Sequence, residues 1–201
     1  MAGLKTDYLG GVIVSGKSDA DALNRAYATI HGDHPRLSYN SAYRYSQSDP
    51  KNPYKNPEPK VSCCTFAFAT ALSIMYHKEI TPDKIKTVEG HGYVDDETAA
   101  TSIWTTKDSK YKAYKIVGSS GSETLGGIDA QLQLGNPVLI HTEGLSASGK
   151  PSPHWATVIG KENGRYRIID PWNGTERWLE DMEIYKNGGS VLDYVILSDK
   201  Y

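Results

Sequence analysis

The sequence predicts an α+β fold, with helices first and an antiparallel sheet last, and three observations predict it. Residues 65–77 form a mostly apolar run of small and large side chains with no Gly or Pro, too long for a typical strand, and read as a buried helix. Four short β-prone runs, 138–142, 155–159, 166–169 and 194–197, occupy the last third of the chain. The middle two are separated by Glu162-Asn163-Gly164, a hairpin turn signal, so they pair antiparallel. Helices followed by a meander of strands is the α+β pattern.

The elements follow in order. Residues 18–30 read as a helix: Ser18 caps it, Asp21 stands at the capping-box position, and Leu23, Tyr27 and Ile30 share one face before Gly32. Residues 33–59 are polar and rich in Pro and Asn, a long irregular loop. The buried helix then takes Ser62 as its cap. Thr81-Pro82-Asp83 has the form of a second helix start, with Pro at the first helical position. A helix is expected over 101–107, and another over 122–134, where Leu125, Ile128 and Leu132 line one face and Gly135 stops it. The organisation expected is an amino-terminal extension with one helix over 1–40 and one folded domain over 41–201.

Composition excludes several classes. Hydrophobic residues are 38% of the 201, enough for a core, and no apolar run approaches the roughly 20 residues of a membrane span. The net charge is −2, with both signs mixed and no basic stripe or polybasic tail, so neither nucleic acid nor a membrane is an expected partner. Residues 1–11 lack the apolar stretch of a signal peptide, which leaves the cytoplasm, export by another route, or excision from a longer secreted protein. A monomer is expected. The only cysteines, Cys63 and Cys64, are adjacent, and an ordinary disulfide between neighbours strains the peptide. Without a Cys-x-x-Cys, and with no ligand spacing among the histidines, no metal or other cofactor is expected.

Reactivity is then the leading role for a cysteine. Cys63 and Cys64 stand at the amino end of the expected buried helix, where unpaired N–H groups and the helix dipole favour an anion, hence a thiolate. His154 opens the strand His154-Trp155-Ala156-Thr157-Val158-Ile159-Gly160 beside a loop of small and polar residues, with His141 as the competing histidine. Asp170 ends the next strand. An antiparallel hairpin lays the start of one strand beside the end of the next, so His154 and Asp170 become neighbours. A carboxylate there can fix the imidazole tautomer and stabilise the imidazolium.

Cys, His and Asp in that order, nucleophile on a helix and the others on a sheet, is the papain-like order. The chain resembles the papain-like cysteine peptidases of the bacteriocin-processing, double-glycine leader type. The residues that carry the resemblance are Tyr45-Ser46-Gln47-Ser48-Asp49-Pro50, Cys63, Ile80-Thr81-Pro82, Gly135-Asn136-Pro137-Val138, the His154 strand, and Asp170-Pro171-Trp172. It spans about residues 43–197. In relatives the Ile-Thr-Pro follows the nucleophile at the spacing Cys63 has to Ile80 (80 − 63 = 17), which selects Cys63 and leaves Cys64 as the competitor. Cys64 and Thr65 stand where relatives have Gly and Pro. The resemblance implies a papain-like fold and a cysteine peptidase acting through an acyl-enzyme. It also implies an oxyanion donor at Gln47, the only glutamine upstream of the cysteines. The expected partner is a peptide or protein substrate. The same constellation serves peptidoglycan amidases and endopeptidases, and the Cys64-Thr65 departure suits an inactive binding domain that keeps the fold. Trp155 and Trp172 either wall the site or pack as core and rim.

Overall fold

The apolar run after the cysteines is helix α1 (Cys63–Met75) in the computed structural model, which describes residues 5–6, 12–13, 32–51, 54, 63–86, 103–106, 112–117 and 121–198. Every residue of α1 except Thr65 and Met75 is buried. A helix apolar all round has to be covered all round. The carboxyl end is a Schellman closure: His77 turns left-handed (φ 49°) and donates to Ile74, while Lys78 donates to Ser73. The Ser73 hydroxyl then clamps the returning chain by exchanging hydrogen bonds with the backbone of Ile80 (2.9 and 3.1 Å).

Among the described residues the main sheet is wholly antiparallel and has eight strands. They are β3 (Ile85–Lys86), β4 (Ile103–Thr106), β5 (Lys112–Val117), β6 (Val138–Leu145), β7 (Pro151–Glu162), β8 (Arg165–Asp170), β9 (Thr175–Trp178) and β10 (Ser190–Ser198). Their spatial order is β3-β4-β5-β10-β6-β7-β8-β9, so β6 to β9 form a meander and β10 returns beside β6. A separate short pair joins β1 (Lys5–Thr6) to β2 (Val12–Ile13). The Asn163-Gly164 turn has both residues at positive φ (51° and 73°), the type I′ geometry that matches strand twist.

Both faces of the central strands are covered. Leu139, Trp155, Val195 and Leu197 pack with α1. The alternate residues Val138, Ile140, Ala156, Val158 and Tyr194 pack with Ile128 and Leu132 of helix α2 (Gly121–Gln133). This double burial explains why the β7 sequence reads as an apolar run rather than as an alternation. Thr157 crosses to α1 by donating to the Ala67 carbonyl (2.9 Å), and α2 closes at Gly135 (φ 78°) with a second Schellman pair.

Residues 34–48 run as a strap over β7, β8 and the turn after β8. His34 pairs with Lys161, Leu37 donates to Ile159, Arg36 makes a two-bond ion pair with Glu176 (2.6 and 2.7 Å), and Tyr39 donates to the same carboxylate. Two glycines make room for it. A Cβ on Gly160 would stand 2.9 Å from Arg36 Cα, and one on Gly174 would stand 2.9 Å from the Arg44 carbonyl.

Four expectations need correction or placing. In place of the helix expected over 101–107, the described residues 103–106 form β4, because Ile103, Thr105 and Thr106 are β-branched, Trp104 is aromatic, and the run pairs with β5. The Thr81 start yields only a 3₁₀ turn, Pro82–Lys84, without a Thr81 side-chain cap; Ile85 then buries against α1 and the chain enters β3. The helix expected over 18–30 and the cap at Ser62 lie outside the described residues.

Gly174 is left-handed (φ 66°) as well as crowded, whereas Gly149 (φ 73°) has open space around it. Gly174→Ala is therefore expected to cost more than the about 1–2 kcal/mol of backbone strain that Gly149→Ala pays. Urea unfolding checks this, and equal midpoints for the two variants would contradict the strap's close approach.

Candidate active site

Cys63 is the first residue of α1, and the core on which the helix rests holds its thiol in place. The opposing wall comes from the β7–β8 hairpin. Thr157 lies opposite Ile169 and Val158 opposite Ile168, with a bulge before Gly160. That register carries the ring three residues before Thr157 to the carboxylate one residue after Ile169. His154 Nε2 and Asp170 Oδ1 are 2.9 Å apart, with the side chains only 10% and 8% exposed. The His154 backbone is fixed in turn, its carbonyl accepting from Thr142 Oγ1 at 3.1 Å. With Nε2 engaged, Nδ1 is the ring nitrogen left for a thiol, and His154 also hydrogen-bonds the Cys63 side chain.

The electrostatics follow from these contacts. Burial pulls the His154 pKa down, but the hydrogen bonds to Asp170 and Cys63 and their charges outweigh it and lift the ring to about 9. Burial pushes Asp170 up, and the His154 hydrogen bond and charge, the Trp172 N–H and the Arg177 cation more than offset that, so the carboxyl lies below its ordinary value. The arrangement places the imidazole between a carboxylate and a thiol, and both favour its protonated form.

Gln47 sits on the strap, 4% exposed. Its backbone N–H donates to the Pro171 carbonyl (2.8 Å), and Ser48 N–H donates to Trp172 (3.0 Å). Two residues earlier, the buried Tyr45 hydroxyl meets Ser73 of α1 at 3.3 Å. The strap thus spans from the helix that carries Cys63 to the turn that follows Asp170, with Gln47 between.

The competing residues have other surroundings. Cys64 packs in the α1 core, and His141 lies flat on Trp155 (ring centroids 4.7 Å apart, planes 8° apart). Trp155 is core, whereas Trp172 is 47% exposed. Among the described residues no group of three His, Cys, Asp or Glu side chains is arranged to hold a metal ion, and no helix is long and apolar enough to cross a membrane. Sequence reasoning missed Arg177, whose Nε lies 3.7 Å from Asp170 Oδ2. The available signal was Asn173-Gly174, a turn that folds β9 back onto β8 and opposes Thr175 to Asp170.

No family model and no curated protein matches the chain. Among solved structures it is similar to active wild-type Prevotella intermedia interpain A, a cysteine protease, with TM-score 0.51 and 12% identity over 94% of this chain and 100% of that one. The fold is the papain-like α+β fold, with Cys63 on its helix.

The His154 pKa is raised above its ordinary 6.5, so the stability it contributes is fully present below pH 6.5 and lost as pH rises through about 9. Asp170 is lowered, so its contribution is present above its ordinary value and lost as pH falls through the folded one. The unfolding free energy of the wild type, read from denaturant titrations, is expected to drop between pH 6.5 and 9 by on the order of 2 kcal/mol relative to His154→Gln. Parallel pH curves for the two proteins would contradict the pairing.

Proposed function

We propose that the chain is a cysteine peptidase with Cys63 as nucleophile, His154 as general base and Asp170 as the residue that orients the histidine. The observation that carries the reading is the 2.9 Å hydrogen bond from His154 Nε2 to Asp170, made by a ring that also hydrogen-bonds Cys63. An imidazole fixed on one side by a carboxylate and open to a thiol on the other is what thiol activation needs.

We infer the following steps. His154 takes the Cys63 proton, and the thiolate attacks the substrate carbonyl carbon. The carbonyl π electrons move to oxygen, where the Gln47 side-chain amide and the Cys63 backbone N–H donate to the oxyanion. Collapse breaks the C–N bond, and the leaving amine takes the proton from His154. Water then attacks the thioester with His154 as base, releasing the acid and restoring the thiol. Asp170 stays ionised throughout and holds the ring.

The substrate is a peptide bond, and the motifs at Tyr45–Pro50, Ile80–Pro82 and Asp170–Trp172 favour a peptidase of the double-glycine leader type. A panel of proteins and leader peptides, run beside turbidity loss of bacterial walls, separates that substrate from a cell-wall stem peptide. Cys63→Ala is expected to abolish turnover and Cys64→Ala to retain it. Turnover surviving in Cys63→Ala, or absent from the wild type on every substrate, would overturn the reading. Gln47→Ala is expected to lower kcat by about 10²-fold with KM little changed, the signature of a donor used in the transition state. An unchanged kcat would remove Gln47 from the oxyanion site.

A further inference from the structure

Asp170 divides its two oxygens between different partners. Oδ1 accepts from His154 Nε2 and from the Trp172 N–H, both at 2.9 Å. Oδ2 faces Arg177, whose Nε is 3.7 Å away. The guanidinium is itself held. Its Nη2 donates to Thr175 Oγ1 (2.9 Å) and Asn173 Oδ1 (3.4 Å), and its Nε donates to Thr175 Oγ1 (3.3 Å). Thr175 Oγ1 in turn donates to Asn173 Oδ1 at 2.6 Å. These residues form the turn and first strand positions after Asp170, so β9 brings a pre-oriented cation back to the acid that β8 ends on.

We propose that Arg177 is a positioning residue for the triad, holding the second oxygen of Asp170 so that the first stays on His154. The inference rests on the Cys63–His154–Asp170 reading above. A carboxylate turns about a broad, roughly two-fold torsion, so a fixed partner on each oxygen is what gives it one orientation. A buried carboxylate also needs a compensating cation to remain charged when His154 is neutral. The groups facing the pair are Cys63 and Asp170 around His154, and His154, the Trp172 N–H and Arg177 around Asp170. Removing the Arg177 cation leaves each of these groups holding its proton to higher pH. A residue that only stitched the Asn173–Thr175 turn would not move their titration.

The test is the rate of Cys63 alkylation by iodoacetamide from pH 4 to 9, in a Cys64→Ala background so that one thiol is read. Arg177→Gln is expected to move the acid limb of that profile upward by about one pH unit, about tenfold slower alkylation at a pH on the limb. Arg177→Lys, which keeps the charge but not the planar fork, is expected to recover most of the shift. Should Arg177→Gln melt below the assay temperature, Asn173→Ala carries the same test, because it loosens the guanidinium and leaves its charge; a smaller upward shift is expected. A variant limb that coincides with the wild-type limb overturns the positioning role and leaves the triad standing. A wild-type Cys63 that alkylates no faster than in His154→Ala overturns the triad reading, and this inference with it.

Discussion

The hydrogen bond between His154 and Asp170 is the constraint on which the rest of the site depends. It exists because a two-residue turn, Asn163-Gly164, folds β7 onto β8 in one register. A slip of one residue would put the two side chains on opposite faces of the sheet. The register is pinned because β7 is buried on both faces, by α1 and by α2, while β8 buries Tyr166 and Ile168 toward α2 and Ile169 against Ile74 and the strap. Core packing and site geometry are therefore one problem. The residues that fill the sheet's two faces, Trp155 and Thr157 toward α1 and Ala156 and Val158 toward α2, also decide where the imidazole stands.

Cys63 and the strap are attached to that frame by different means. Cys63 is placed by a helix that has no solvent face, so its position follows from hydrophobic packing and from the Ser73 clamp at the other end. Gln47 is placed by backbone hydrogen bonds to Pro171 and Trp172 and by Tyr45 on α1. The anchor at Arg36, Tyr39 and Glu176 and the close approaches at Gly160 and Gly174 hold the same segment down along its length. The Pro-rich stretch between Gln47 and Cys63 looked too long for a compact site (63 − 47 = 16). The strap accounts for Gln47 independently of that stretch, because its hydrogen bonds come from the far side, from the turn after β8.

What was legible in the residues was local. The Asn163-Gly164 turn, the helix stop at Gly135 and the uninterrupted apolar run after Cys63 each act within a few positions of themselves, and each stands where the sequence puts it. The closeness of His154 and Asp170 was legible because it depends only on that turn. The missing half of the sheet was not local. Strands β3 and β4 are two and four residues long, and their pairing is settled by partners far along the chain, so Ile103 to Thr106 offered too short a pattern to separate strand from helix. Arg177 was hidden for a similar reason. Its relation to Asp170 requires first the turn at Asn173-Gly174 and then the side-chain cradle of Asn173 and Thr175, and a single arginine on an edge strand carries no mark of either.

In the proposed reaction Cys63, activated by His154, forms the covalent intermediate. The most direct measurement is acid-quench mass spectrometry of the protein during turnover of an activated peptide ester, with the adduct located in Cys64→Ala and in Cys63→Ala. The expected result is an acyl mass on Cys63 that persists in Cys64→Ala, vanishes in Cys63→Ala and falls sharply in His154→Ala. An acyl group found on Cys64, or turnover with no thioester at either cysteine, would contradict it.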